Sequence, residues 1–124
     1  MARILIAEDE EPVRALIARA LTDDGHEVSV AADGAEALDI LKREEGRFDL
    51  LLTDIKMPIM DGLALALAVA RDHTRIPIVL MTGYADQRER AYGLDALICD
   101  IISKPFSLPE LKFAVAAALA TGKR

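Results

Sequence analysis

Glu8, Asp9, Asp54, Thr82 and Lys104 are scattered over almost the whole 124-residue chain, yet they follow short apolar runs. Gathered in one place they would present three carboxylates, a hydroxyl and an ammonium. Carboxylates packed together repel one another and raise each other's pKa unless a cation shares the site. Mg²⁺ answers that need, because it prefers an octahedron of oxygens built from one or two carboxylates, waters and phosphate oxygens. No His or Cys grouping offers a zinc site. With its charge neutralised, an aspartate can attack phosphorus, since phosphoryl transfer asks mainly for positioning and charge stabilisation. Asp54 holds the central place for that role. Lys104 could then pair a phosphoryl oxygen as a point charge, and the Thr82 hydroxyl could donate to another.

The elements that must position these groups are legible as a repeat. Arg3 to Ala7 carries Ile4, Leu5 and Ile6, a run suited to a strand buried on both faces. Pro12 then sits in a first helical turn, and Val13, Leu16, Ile17, Ala20 and Leu21 keep helical spacing until Gly25. Glu27 to Ala31 reads as a second strand, followed by Asp33 and Glu36 spaced as a capping box for a helix that Gly46 closes. A third strand, Asp49 to Thr53, leads to Asp54, a Pro58 loop and a helix capped by Asp61 that carries Leu63, Leu67 and Val69. Ile78 to Met81 is the fourth strand, a helix spans about Asp86 to Leu94, and a fifth strand falls within Cys99 to Ser103. Ser107-Leu108-Pro109-Glu110 is a capping box with proline inside it and opens the last helix. Five strands alternating with five helices on short connections predict an α/β fold with a doubly wound parallel sheet. In such sheets the ligand site lies beyond the carboxyl ends of the strands. Those ends carry the five residues above.

Composition narrows the functional classes. A hydrophobic content of 52% fills the core of one domain of this length, and charged residues, 29%, are spread rather than blocked. The net charge of −6 argues against a nucleic-acid partner, which would require clustered Lys and Arg. The lone Cys99 cannot form an internal disulfide, Met1-Ala2-Arg3 runs straight into a strand rather than a signal sequence, and no apolar run could span a bilayer. A cytoplasmic protein is the expectation. Glu10 and Glu11 read as residues favoured by the dipole of the first helix, His26 and His73 as surface residues, and Met57 and Met60 as loop packing.

The run Ile4-Leu5-Ile6-Ala7-Glu8-Asp9-Glu10, the block from Leu51 through Asp54-Ile55-Lys56-Met57-Pro58 to Asp61-Gly62, Thr82-Gly83, and Lys104-Pro105-Phe106 together resemble the bacterial response regulator receiver domain, the CheY-like family of two-component systems. The resemblance covers essentially the whole chain. It implies a flavodoxin-like fold with strand order 2-1-3-4-5, a receiver domain over residues 1–120 and a short flexible tail over 121–124. It further implies that Asp54 is the phosphoacceptor for a sensor histidine kinase or histidine phosphotransferase. The metal set would be Asp9 directly, Glu8 through water, Asp54, and the main-chain carbonyl of Lys56. The Lys104-Pro105 bond is expected to be cis. The family usually carries Tyr or Phe three residues before the lysine as a switch; here that place is Ile101. Tyr84, two residues beyond Thr82 and following the freely rotating Gly83, is the aromatic expected to report phosphorylation instead, or else simply to cover the site.

Met81-Thr82-Gly83-Tyr84-Ala85-Asp86 and Ser103 through Leu111 look most like the CpdR-type cell-cycle regulators. That likeness implies an adaptor whose partners include the ClpXP protease or its substrates. The expected protein is therefore a signalling phosphoprotein and not an enzyme, with a phosphorelay intermediate or a flagellar-motor-type receiver as the alternative. An aspartyl-phosphate phosphatase of the haloacid dehalogenase kind would need a second aspartate two residues past the nucleophile, and Lys56 stands there.

Overall fold

The computed structural model describes residues 2–83, 91–94 and 96–121. Its strands are β1 (Arg3–Ala7), β2 (Glu27–Ala31), β3 (Leu50–Asp54), β4 (Ile78–Thr82) and β5 (Asp100–Ser103). Its α-helices among the described residues are α1 (Glu11–Asp23), α2 (Gly34–Arg43), α3 (Gly62–Asp72) and α4 (Leu108–Thr121). The strands form one parallel sheet in the order β2-β1-β3-β4-β5, as expected.

β3, β4 and the last helix differ in their bounds from the sequence reading. β3 begins at Leu50 because the Asp49 carboxylate turns back to accept the Arg3 N–H at 2.8 Å, and it ends on Asp54 itself. β4 runs one residue further than expected, through Thr82, whereas β5 lies within the stretch expected for it. The last helix continues through Thr121, into the expected tail, and residues 122–124 lie outside the described residues. The helix expected from about Asp86 to Leu94 falls largely on residues 84–90, also outside them; at its end stands a 3-10 turn, Tyr92–Leu94. Tyr84 therefore lies outside the described residues as well.

The pleat divides the apolar residues between two cores. Leu5, Leu51, Ile78 and Leu80 face a layer that includes Ala37 and Leu41 of α2 and Leu65 and Val69 of α3. Ile4, Ile6, Leu50, Leu52, Val79 and Met81 face Ile17 and Leu21 of α1 and Leu111 and Val115 of α4. Each fully buried side chain of this size contributes about 1.5–3 kcal/mol, which is why apolar residues fill the middle of the three central strands. Leu16 and Leu67 lie in their expected helices but outside both cores, being 54% and 49% exposed.

Capping follows the sequence closely. Asp33 accepts the Glu36 N–H at 2.8 Å, Asp61 accepts the Ala64 N–H at 2.9 Å, and Ser107 and Glu110 bond reciprocally. Gly25, at φ +92, supplies the left-handed turn that releases the chain from α1 into β2. At the amino end of the sheet, Arg3 reaches Glu44 at 3.2 Å and lies 4.8 Å over the Phe48 ring. His26 and His73 are both half-buried, the former accepting the Ala2 N–H at 3.2 Å on Nδ1, so neither is a plain surface residue. Met57 packs into the first core. No helix among the described residues is long and apolar enough to cross a membrane.

Candidate functional site

Parallel register brings the ends of β1, β3, β4 and β5 to one side. Ala7 pairs with Thr53, Asp54 with Met81, and Thr82 with Ser103, so the residues that follow these positions share one rim. Oxygens of Glu8, Asp9 and Asp54 lie within 4.8 Å of one another there. The chain continues from β5 into Lys104, whose N–H donates to the Thr82 carbonyl at 2.7 Å and fixes the stem of the lysine beside β4. The Lys104-Pro105 bond is cis.

Lys104 Nζ donates to Glu8 Oε1 at 2.8 Å and to Asp54 Oδ2 at 3.2 Å. Glu8 is fully buried; its Oε2 accepts the Glu10 N–H at 3.1 Å and its own N–H donates to Ala31 at 3.0 Å. Asp54 is 6% exposed, and its Oδ1 accepts the Ile55 N–H at 2.9 Å. Thr82 is buried, and Asp9 and Lys56 are exposed on the lip. An open cleft of about 890 Å³ joins Asp9, Asp54, Lys56 and Lys104 to an apolar wall formed by Val13, Leu16, Ile17, Pro105 and Phe106. The exposure of Leu16 is thus the exposure of a cleft wall.

Burial raises the pKa of both Glu8 and Asp54; the hydrogen bonds and charge of Lys104 pull each back without cancelling the rise. For Lys104, burial works to lower the pKa, but Glu8 and Asp54 together outweigh it and leave the ammonium firmly charged. A carboxyl whose pKa is raised by folding leaves stability intact below its ordinary value and lowers it as pH climbs through the raised one. Asp54→Asn is therefore expected to raise the melting temperature at pH 7 by roughly 2–5 °C, the response of a domain this size to about 1 kcal/mol. The gain should disappear below about pH 4. A thermal scan in which the gain is the same at pH 3.5 and pH 7 would count against burial as its cause.

The chemistry of this donor set suits a hard divalent cation: oxygens alone, clustered, with one carboxylate exposed to receive an ion and its waters. The cleft beside it leaves a path for a phosphoryl group to Asp54.

The response regulator receiver domain model matches residues 4–116. The chain belongs to that family. This receiver is 37% identical over 109 residues to the transcriptional regulatory protein TcrA of Mycobacterium tuberculosis, covering 88% of the chain and 42% of TcrA. To the response regulator MprA of Mycobacterium avium it is 38% identical over 117 residues, 94% of the chain and 50% of MprA. It thus spans half or less of the length of these relatives. Among solved structures, the response regulator TrrA of Thermotoga maritima, solved in complex with Mg(2+)-BeF, superposes with a TM-score of 0.82 at 32% identity, covering 94% of this chain and 98% of that one.

Of the residues singled out from sequence, the fold unites Glu8, Asp9 and Asp54 and ties Lys104 to the first and last of them. Thr82 joins through its main chain, and Lys56 lines the cleft. Ile101 is half-buried on β5 and packs against the first core with Leu94 and Ile98. Two residues of the site's frame were given no role in sequence, Gly62 standing there only as the end of the family block and Arg14 not at all. Gly62 donates its N–H to the Ile55 carbonyl at 2.7 Å and lies against the Asp54 backbone. Arg14 donates from Nη1 to the Glu8 carbonyl at 2.8 Å. A glycine in the first turn of a helix, where it weakens the helix, is the signal that could have pointed to Gly62.

Proposed function

We propose that this receiver relays a signal by Mg²⁺-dependent phosphorylation of Asp54. The observation that carries the reading is the cluster of Glu8, Asp9 and Asp54 oxygens, with Lys104 Nζ bonded to two of the three residues. The donor is a phosphohistidine on a sensor kinase or phosphotransferase. An Asp54 carboxylate oxygen attacks phosphorus; the P–O bond forms as the P–N bond breaks, and the imidazole keeps its electron pair. Mg²⁺, when bound, neutralises the carboxylates and the developing charge on the phosphoryl oxygens. Asp9, Asp54 and Glu8 would hold it by carboxylate oxygens, with the main-chain carbonyl of Lys56 as a further ligand. Lys104 pairs one phosphoryl oxygen as a point charge, and the Thr82 hydroxyl donates to another.

New bonds at Thr82 and Lys104 pull on the roots of β4 and β5, and a partner protein reads the resulting population shift on the face made by β5 and α4. The stretches around Thr82 and from Ser103 to Leu111 support a CpdR-type output, an adaptor for the ClpXP protease or its substrates.

Beryllofluoride with Mg²⁺ is expected to shift amide resonances at the ends of β3, β4 and β5 in the wild type, and Lys104→Ala to lose most of that response. Shifts of wild-type size in Lys104→Ala would remove the lysine from the mechanism. For the output, affinity capture with wild type and Asp54→Ala should recover a AAA+ protease in unequal amounts; equal recovery, or none, would sink the adaptor reading and leave the phosphoacceptor reading standing.

A further inference from the structure

We propose that Arg14 is a positioning residue for the metal-binding carboxylate of Asp9, acting through the main chain of Glu8; the inference rests on the Mg²⁺ site of the preceding section.

Arg14 stands near the start of α1, where the partial positive charge of the helix terminus disfavours a cation. Glu8, Asp9, Glu10 and Glu11 lie within six residues of it and invite an ion pair. Its Nη1 instead donates to a main-chain oxygen, the carbonyl of Glu8, at 2.8 Å. That oxygen belongs to the peptide unit that joins Glu8 to Asp9. A peptide unit is planar, so fixing the direction of the Glu8 carbonyl also fixes the direction in which the chain enters Asp9.

The other groups of Glu8 are already held. Its N–H is bonded to Ala31, its Oε2 to the Glu10 N–H and its Oε1 to Lys104. Arg14 completes this set by taking the carbonyl, just past the point where β1 ends and the sheet stops supplying partners. Asp9 is exposed, and the path of its backbone is what keeps its carboxylate within 4.8 Å of the other two. The arginine thus acts on the metal site at one remove, as the hydrogen-bonded supports of metal ligands commonly do.

The test is the Mg²⁺ affinity of the purified, metal-free chain by titration calorimetry, alongside the Asp9 amide resonance before metal is added. Arg14→Met keeps the bulk and removes donors and charge; it is expected to weaken Mg²⁺ binding about 10-fold, at the lower end for outer supports of a metal site. Arg14→Lys keeps the charge with a shorter, single-headed donor and should fall between, near 3-fold. The sign separates this role from a purely electrostatic one, since removing a cation beside the site would tighten Mg²⁺ binding. Unchanged or tighter binding in Arg14→Met, even with a lowered melting temperature, overturns the proposal. Should Arg14→Met fail to fold, Arg14→Gln takes its place in the same comparison. If the wild type binds no Mg²⁺, the proposed function fails instead, and an unmoved Asp9 amide in the metal-free variant would still rule against Arg14.

Discussion

Incubated with acetyl phosphate and Mg²⁺, the wild-type chain is expected to take up one phosphoryl group, and Asp54→Asn to take up none. Asn keeps the shape and the Ile55 N–H contact of Asp54 but lacks the charged oxygen that attacks phosphorus. The loss should exceed 100-fold, since among the described residues no other carboxylate combines burial at the end of the central strand with a bond to Lys104 and a place in the acidic cluster. Glu8 has the bond and the burial, but both its oxygens are already engaged, by Lys104 and by the Glu10 N–H. Because Asp54→Asn is also expected to melt higher than wild type, its silence could not be blamed on unfolding. Acyl-phosphate labelling of Asp54→Asn at the wild-type level, or wild-type labelling that survives a chelator, would defeat the assignment.

Gly62→Ala is expected to be the most damaging single methyl group in the frame of the site. A Cβ at this position would lie 1.9 Å from the Asp54 carbonyl oxygen, 2.8 Å from its carbon and 3.0 Å from Ile55 Cα. All three are backbone atoms, so no side-chain tip can swing aside. Either α3 or the end of β3 must move, and overpacking of this kind costs on the order of 3 kcal/mol. The melting temperature should fall by roughly 10 °C, and phosphorylation should fall with it, since the displaced segment is the one that carries Asp54. Gly83→Ala is the control, because a Cβ there meets open space. A Gly62→Ala protein that melts within 2 °C of wild type and is labelled normally would show that the contact is relieved at no cost.

What sequence could convey differs between these residues for a physical reason. β1 and β4 were legible because strands covered on both faces carry unbroken apolar runs, and the polar residues Glu8 and Thr82 marked where those runs end. The acidic cluster was legible because parallel strands with short crossovers leave their carboxyl ends on one side, whatever the side chains do. The exposure of Leu16 was not legible because helical spacing reports a face and cannot say whether another element or an open cleft lies before it. Asp49 looked like the start of a strand, whereas its carboxylate serves Arg3, 46 positions away in the chain. Arg14 and Gly62 act on main-chain atoms of other residues, and a backbone atom has no letter in the sequence.

The closure of the amino end of the sheet by Arg3, Glu44, Asp49 and Phe48 has a consequence for how such a domain can change over time. This group lies a full strand length, about 15 Å, from the carboxylate cluster. Substitutions at such separations contribute nearly additively. Heat tolerance can therefore drift at one pole of the molecule through exchanges of charge and aromatic contact, while the opposite pole keeps its carboxylate cluster unaltered, so that adaptation to a new temperature need not disturb the site.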